Sequence, residues 1–250
     1  MSGFAALVLA GSRAGADDPV AAYGGAAHKA LIVLQGQTLL ARVACALRDA
    51  GAARIAVVSS HPNVRAEATR LGVETLEEAA GPSLSVQAAA AHLGTPLLVT
   101  TADHALLEAA WVERFLADAP ADVDVAALVA ARATVEAAAP TTQRTWLRLA
   151  DGHWSGCNLF YLANDRALAV VELWRRVEAE RKRPWRQAQI LGFGMLVRYA
   201  TGRLSLKDAA ARLGQLAGVR AAIVQTPFGL ASVDVDKPAD LDLVRRIVGD

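Results

Sequence analysis

The first candidates for ligand binding follow the first apolar run of the chain, Phe4–Ala10. A long glycine-rich loop begins there, contains Arg13 and leads to Lys29. Glycines allow backbone N–H groups to converge on an anion without obstruction by a Cβ atom, and the two basic side chains add mobile positive charge. This combination favours a loop that wraps the phosphates of a nucleoside triphosphate.

Better-known nucleotide-binding motifs are absent from this part of the sequence. Neither GxxxxGK[ST] nor GxGxxG follows the first apolar run, which argues against a P-loop ATPase and a dinucleotide-binding enzyme. A short-chain dehydrogenase is disfavoured as well, because no Tyr-x-x-x-Lys pair occurs in the chain. The loop therefore needs another explanation.

Composition restricts the classes of partner. The chain has 26 Lys and Arg against 25 Asp and Glu, a net charge of +1, which is not the broad positive field of a nucleic-acid-binding protein. The cysteines, Cys45 and Cys157, are too far apart for a CxxC metal site, and no disulfide framework is indicated. No segment reaches the roughly 18 apolar residues of a membrane span, and no signal peptide is recognisable. We expect a cytoplasmic protein without an integral membrane segment.

The elements that must position the loop alternate in type along the chain. Short apolar runs alternate with amphipathic stretches of helical length from Phe4 to Ala117. Runs such as Pro96–Thr100 lack polar alternation, as do parallel strands that are covered on both faces. The sequence therefore predicts a Rossmann-like, three-layer α/β/α fold with a mostly parallel mixed sheet. Ligands bind such sheets at the carboxyl ends of the strands.

The pattern changes after Asp122. The predicted elements are strands at Val123–Ala130, Trp146–Leu149, Asn158–Leu162, Ala221–Gln225 and Ala231–Val235, and helices at Asp165–Arg183 and Ala239–Val248. Residues 184–217 interrupt this order with a largely helical segment. We expect a single domain over residues 1–250 with an insertion at about 184–217.

The opening of the chain resembles the MobA-like NTP transferase family. In the family, an LAGG turn is followed by an arginine, a glycine, a lysine and a G-x-P-hydrophobic turn. The corresponding residues here are Leu9–Arg13, Lys29 and Gly36–Leu40. The resemblance implies the nucleotide-diphospho-sugar transferase fold, which is GT-A-like, and catalytic roles for the arginine and the lysine. The chain departs from the pattern at Ser12 and Thr38, where glycine and proline are common, and in its longer loop. The nucleotide-binding residues implied in this region are Leu9, Ala10, Gly11, Ser12, Arg13 and Lys29.

Three further segments carry the resemblance. Gly81–Ser85 is similar to the family's Gly-x-x-x-Ser segment, which approaches the nucleotide and implies that Ser85 binds it; by itself the segment indicates a helix cap. Asp103 follows an apolar run, as the family's metal-binding aspartate does. Asp234–Leu241 resembles the closing D-x-D-x-P-x-D-L, in which Asp236 aligns as the second metal ligand.

The two aspartates suit one Mg²⁺ ion, which prefers oxygen ligands and uses few protein carboxylates. Asp103 and Asp236 are expected to converge at the carboxyl edge of the sheet. Asp234 could coordinate alongside Asp236, but one of the two is expected to be structural, and Asp236 aligns better with the family's ligand. Asp240 is expected in the first turn of the last helix, where the helix dipole favours a negative charge.

Two groups of residues are candidates for an acceptor site. Asn158 falls where the acceptor-side pocket of the family forms, although it could equally cap a turn. Arg181, Lys182 and Arg186 could clamp an acceptor phosphate or touch an anionic membrane surface, and a solvated helix end is the alternative.

The resemblance implies an Mg²⁺-dependent transfer of a nucleoside monophosphate from an NTP to a phosphorylated small-molecule acceptor, with release of pyrophosphate. CTP and GTP are the first candidates for the NTP. One alternative is a GT-A-type glycosyltransferase that uses a nucleotide-sugar, because Asp234-Val235-Asp236 is formally a DxD motif. Another is a non-catalytic nucleotide-binding homologue. Arg13 and Lys29 beside a triphosphate loop argue against both. The oligomeric state is left open.

Overall fold

The computed structural model of the protein describes residues 3–11, 18–180 and 183–250. Within them the strands are β1 (Phe4–Leu9), β2 (Val33–Leu34), β3 (Gln37–Thr38), β4 (Ala52–Val58), β5 (Glu74–Leu76), β6 (Leu97–Thr101), β7 (Val125–Ala131), β8 (Leu147–Leu149), β9 (Gly152–Leu162) and β10 (Ala221–Thr226). The helices are α1 (Pro19–Tyr23), α2 (Leu39–Asp49), α3 (Pro62–Arg70), α4 (Pro82–Leu93), α5 (Ala109–Asp118), α6 (Arg132–Ala138), α7 (Leu168–Ala179), α8 (Pro184–Leu191), α9 (Phe193–Ala200), α10 (Leu206–Ala217) and α11 (Pro238–Val248). Short 3-10 turns lie at Lys29–Leu31, Asp165–Ala167 and Gly229–Ser232.

The central sheet has eight strands in the order β10-β7-β9-β6-β1-β4-β5, with β8 beside β9. β1 runs parallel to β4 and β6, β4 to β5, and β7 to β10. β9 is antiparallel to its neighbours β6, β7 and β8. The predicted mostly parallel mixed sheet is confirmed.

Alternate residues of β1 show why its sequence is apolar throughout. Phe4, Ala6 and Val8 belong to one core cluster, together with residues of α2 and α5. Ala5 and Leu7 face the other side of the sheet and pack with α4 and α7. Because helices cover both faces, no position along this strand favours a polar side chain. The fold is therefore a three-layer α/β/α arrangement, as predicted.

The predicted strand at Ala231–Val235 is wrong. A 3-10 turn covers Gly229–Ser232, and the residues after it form an extended connection with no sheet partner among the described residues. Ala231, Val233 and Val235 are apolar because this connection packs into the core. An apolar run by itself does not separate a buried strand from a buried connection.

Two predicted elements have different lengths in the structure. β9 begins at Gly152 rather than Asn158, because its first half pairs with β8 and with the end of β7. The helix predicted at Asp165–Arg183 is shorter. Asn164 caps a 3-10 turn, and α7 then covers Leu168–Ala179.

Residues 184–217 contain α8, α9 and α10. α10 is anchored to the sheet: Leu206 packs with Val129 and Trp154, and a Cβ at Gly214 would lie 2.7 Å from the carbonyl oxygen of Val219. α9 has no such anchor, since none of its eight residues is buried. The organisation as one domain with an insertion stays a prediction.

Within the described ranges, no helix combines the length and the apolar character that crossing a bilayer requires.

Candidate active site

Lys29 lies at the centre of a small charged cluster. Its ammonium Nζ is 2.6 Å from Oδ2 of Asp103 and 3.3 Å from Oδ1 of Asp236. The Lys29 and Asp103 side chains are 22% and 12% exposed, whereas Asp236 is 58% exposed. The structure thus brings together three residues that the sequence nominated for catalysis and metal binding. The cluster opens to solvent on the Asp236 side.

Local structure holds each of the three residues in place. Lys29 begins a 3-10 turn that is capped by His28, whose ring Nδ1 accepts a hydrogen bond from the Ala30 amide at 3.1 Å. Asp103 is the second residue after β6. The backbone N–H of Val235 donates to the carbonyl oxygen of Asp103 at 3.1 Å. This bond joins the two aspartate-bearing segments directly before Asp236.

The carboxylate pair fits a hard divalent cation. Oδ1 of Asp103 is buried and has no hydrogen-bond partner among the described residues, although buried polar atoms are normally paired. Two carboxylates with an orphan oxygen suit Mg²⁺, which completes its octahedron with water and phosphate oxygens. No group of three or more His, Cys, Asp or Glu side chains in the described part of the chain is placed to hold a metal. Asp103 and Asp236 would be its protein ligands.

The neighbouring carboxylates keep Lys29 protonated. Burial alone would lower the pKa of the Lys29 ammonium, but the Asp103 and Asp236 carboxylates outweigh it and raise that pKa. Lys29 is therefore cationic at neutral pH. By contrast, burial lowers the pKa of His104, the neighbour of Asp103, to about 4, so this imidazole is neutral and adds no charge.

Behind the cluster lies a second one, centred on Arg144. Its guanidinium pairs with Asp234 and, at 2.6 Å, with Oδ1 of Asp240, and it also donates to the carbonyl oxygen of Ser232 at 3.2 Å. The Arg144 side chain is 7% exposed and that of Asp240 is 5% exposed. The other oxygen of Asp240 accepts from the backbone N–H groups of Asp236, at 3.2 Å, and Lys237, at 3.0 Å. Arg144 therefore holds the segment that carries Asp236.

Asn158 belongs to this second cluster. Its Nδ2 donates to Oδ2 of Asp234 at 2.7 Å. Between Ala127 and Val129 the pairing of β7 with β9 shifts by two residues, which places Asn158 in a β-bulge at φ +48°. Asparagine tolerates this left-handed conformation better than most residues, and bulges commonly redirect a side chain. Asn158 thus reaches Asp234 from a strand whose regular pleat would not aim it there.

The nominated triphosphate loop is described up to Gly11 and again from Asp18, where it contains α1. Leu9 ends β1 and Ala10 follows it: the Leu9 carbonyl accepts from the Ala102 amide, and the Ala10 amide donates to the carbonyl oxygen of Val58, both at 3.0 Å. At Gly11 a Cβ would overlap Oε1 of Glu78. Ser12 and Arg13 lie outside the described residues.

Ser85 lies in α4 and is 2% exposed. Its Oγ accepts a hydrogen bond from the Ala79 amide at 3.1 Å, so it holds the loop before the helix. Arg186 lies in α8, where its guanidinium pairs with Glu180 at 3.1 Å and stacks on Trp185. Neither residue contacts the Lys29 cluster. Arg181 and Lys182 lie outside the described residues.

Sequence reasoning missed Arg144. It lies in a loop between α6 and β8, in no motif and next to no glycine or aspartate that would single it out. Its partners follow it by 90 and 96 positions in the chain. Only the fold places them together.

Comparisons with known proteins relate the chain to NTP transferases. The family profile described as MobA-like NTP transferase domain matches residues 6–187. A hypothetical transferase from Thermus thermophilus is 31% identical, with a TM-score of 0.82 over 96% of this chain and 99% of that one. No functionally curated protein gives a significant match.

Two more distant structures share the fold. A nucleotidyl transferase from Methanothermobacter thermautotroptrophicus is 19% identical, with a TM-score of 0.58, and the alignment covers 99% of this chain and 98% of that one. CMP:2-keto-3-deoxy-manno-octonic acid synthetase, solved in complex with CTP, is 18% identical, with a TM-score of 0.57 over 99% of each chain. At these identities the likeness concerns the fold alone.

Proposed function

The chain belongs to the MobA-like NTP transferase family and is a nucleotidyltransferase, and from this premise we propose the reaction that it catalyses. It transfers a nucleoside monophosphate from an NTP to a phosphorylated small molecule and releases pyrophosphate, with Mg²⁺ as cofactor. The observation that carries the proposal is the Lys29 ammonium between Asp103 and Asp236, beside the carboxyl end of β1.

The proposed chemistry is a displacement at the α-phosphorus. An oxygen of the acceptor phosphate forms a bond to that phosphorus while its bond to the oxygen of the pyrophosphate leaving group breaks. Negative charge develops on the phosphate oxygens, and fixed positive charge beside them lowers the barrier. Lys29 supplies such a charge, and Arg13 is proposed to supply a second one. No side-chain nucleophile is needed.

The carboxylates have the complementary role. When bound by Asp103 and Asp236, Mg²⁺ would neutralise phosphate oxygens and hold them in place. Asp234 is proposed to stay outside the metal site, because its oxygens are engaged by Arg144 and Asn158. This separation argues against reading Asp234-Val235-Asp236 as the metal motif of a glycosyltransferase.

The nucleotide is proposed to bind along the turn after β1. Leu9, Ala10, Gly11 and Ser12 would supply backbone contacts to the triphosphate. Ser85 would act by holding the loop that ends at Gly81, since its hydroxyl accepts from Ala79 in the structure. CTP is the first candidate, supported by the CTP complex of one distant structural neighbour, and GTP the second, supported by the family resemblance.

The acceptor is proposed to bind near Asn158. Because Nδ2 of this residue uses one N–H on Asp234, its second N–H and the side-chain carbonyl are left to contact an acceptor hydroxyl. Arg181, Lys182 and Arg186 are retained as candidates for its phosphate. The cytoplasmic location also stays a prediction.

Pyrophosphate release tests the proposal. The purified protein is incubated with each of the four NTPs, Mg²⁺ and a panel of sugar, polyol and cofactor phosphates. We expect pyrophosphate with one NTP and one acceptor, and none without Mg²⁺. Release of a nucleoside diphosphate from a nucleotide-sugar would identify a glycosyltransferase instead. Thermal stabilisation by an NTP without turnover on any acceptor would favour a non-catalytic homologue.

A further inference from the structure

α9 presents its apolar face to solvent. Phe193, Leu196, Val197 and Ala200 recur at the spacing that puts them on one side of a helix. The first three are 73%, 36% and 51% exposed. In a surface helix of a globular protein such a stripe normally faces the core. This helix does the opposite.

The opposite side of α9 explains its orientation. Arg198 forms an ion pair with Asp208 of α10, and it lines, with Met195, a cleft of about 310 Å³ between the two helices. Polar contacts therefore tie α9 to the protein, while its apolar stripe points away. Among the described residues, no element of this chain covers the stripe.

Two further aromatic side chains of α8 and α9 are exposed. Trp185 of α8 is 58% exposed and carries the Arg186 guanidinium at 5.0 Å from its ring, and Tyr199 is 42% exposed. We call the exposed set Trp185, Phe193, Leu196, Val197 and Tyr199 the helical face. Tryptophan and tyrosine are enriched where an apolar phase meets water, because each has an apolar body and a polar tip.

The helical face lies in the most basic part of the sequence. Residues 181–217 contain eight Lys and Arg and one acidic residue, Asp208, a net charge of +7. The rest of the chain has 18 basic and 24 acidic residues, a net charge of −6, so the near-neutral total conceals a strong asymmetry. An occupant of the face must therefore be both apolar and anionic.

We propose that the helical face docks on an anionic lipid surface. A symmetric dimer through this face would set two segments of charge +7 against each other, because an isologous interface uses the same patch twice. A bilayer with anionic headgroups satisfies both properties: the apolar side chains enter the boundary between headgroups and acyl chains, and exposed basic side chains such as those of Arg203 and Lys207 lie at the phosphates. The protein lies on such a surface without crossing it. This inference does not depend on which NTP or acceptor the enzyme uses.

Vesicle co-sedimentation tests the proposal with the full-length protein. Vesicles of phosphatidylcholine alone are compared with vesicles that also contain phosphatidylglycerol. We expect binding to the anionic vesicles only, weakened by salt because the Debye length falls from about 10 Å at 0.1 M to about 3 Å at 1 M. Phe193→Gln with Val197→Gln should weaken binding by at least about tenfold, since buried apolar area drives insertion. Arg203→Glu with Lys207→Glu should abolish it at low salt.

Ile247→Gln is the matched control, because Ile247 is 38% exposed on α11 and lies outside the basic segment. It should bind vesicles like the unchanged protein, and all variants should keep their melting temperature. Absence of binding to anionic vesicles would overturn the proposal, as would equal binding to neutral ones or equal loss in the control. A dimer that Phe193→Gln with Val197→Gln converts to a monomer, without vesicle binding by the unchanged protein, would assign the face to a second copy.

Discussion

Two charged clusters of the same composition meet at the segment Asp234–Asp240. In each, one cation is paired with two aspartates: Lys29 with Asp103 and Asp236, and Arg144 with Asp234 and Asp240. They differ in exposure and in the kind of atom that is left unpaired. Arg144 is 7% exposed and keeps a buried donor, Nε, without a partner, whereas Asp236 is 58% exposed and Asp103 keeps a buried acceptor, Oδ1, without a partner among the described residues.

This difference separates residues that can react from residues that position them. A buried and hydrogen-bonded ion pair has little capacity left for a ligand, and breaking it is costly. An open cluster with an orphan oxygen can exchange its internal partners for phosphate or metal. Asp240 connects the two, because one of its oxygens pairs with Arg144 and the other accepts from the Asp236 amide.

The largest expected effect comes from breaking the buried cluster. Arg144→Ala leaves the buried Asp240 and the partly buried Asp234 without their charge partner and should lower the free energy of unfolding by about 3–5 kcal/mol. Urea denaturation measures this. Arg132→Ala is the matched control, because Arg132 pairs with Glu136 at the surface, both side chains being about half exposed, and should cost less than about 1 kcal/mol. Similar losses in the two variants would contradict the comparison.

Breaking the open cluster should affect turnover instead. Lys29→Ala removes a charged donor from the proposed site and should lower kcat by about 10²–10³. The melting temperature should change little, because the lysine is partly exposed and is not part of the core. Lys207→Ala, a change of the same type in α10, should leave kcat unchanged. Normal turnover in a folded Lys29→Ala variant would remove this residue from the mechanism.

The two carboxylates of the open cluster should act as a unit. Asp103→Asn and Asp236→Asn should each weaken Mg²⁺ binding in the presence of NTP, and the double variant should deviate from additivity by about 0.5–3 kcal/mol. Calorimetric titration measures the affinities. Asp234→Asn should affect Mg²⁺ binding less and stability more, because its partners are Arg144 and Asn158. Additive losses would show that no metal is shared.

A smaller effect concerns the pH dependence of stability beside the open cluster. Burial lowers the pKa of His104, next to Asp103, to about 4, while an unfolded histidine titrates near pH 6.5. The folded protein therefore binds fewer protons between these values, so the free energy of unfolding should fall by about 1–2 kcal/mol as the pH drops from 6.5 to about 5. His104→Gln should flatten this slope, whereas the exposed His153→Gln should not. An unchanged slope in His104→Gln would refute the assignment.

The elements near the active site were predictable because local pattern determines them. The unbroken apolar runs of β1 and β6 indicate strands covered on both faces, and the residues after them were nominated from the family resemblance together with their position. The strand predicted at Ala231–Val235 failed because burial, not hydrogen-bonded pairing, makes its residues apolar. Roles for Arg13, Arg181 and Lys182 stay predictions, since these residues lie outside the described part of the chain.

Short motifs and periodicity were enough to predict the family, the α/β alternation and the position of Asp103 after a buried strand. The fold alone shows that Asp234 and Asp236, two residues apart, belong to different clusters, and that α9 turns its apolar side outward. Arg144 meets Asp234 and Asp240 across 90 and 96 positions. Such contacts depend on strand order and on a bulge in β9, which no local pattern records, because they arise from packing between segments distant in the chain.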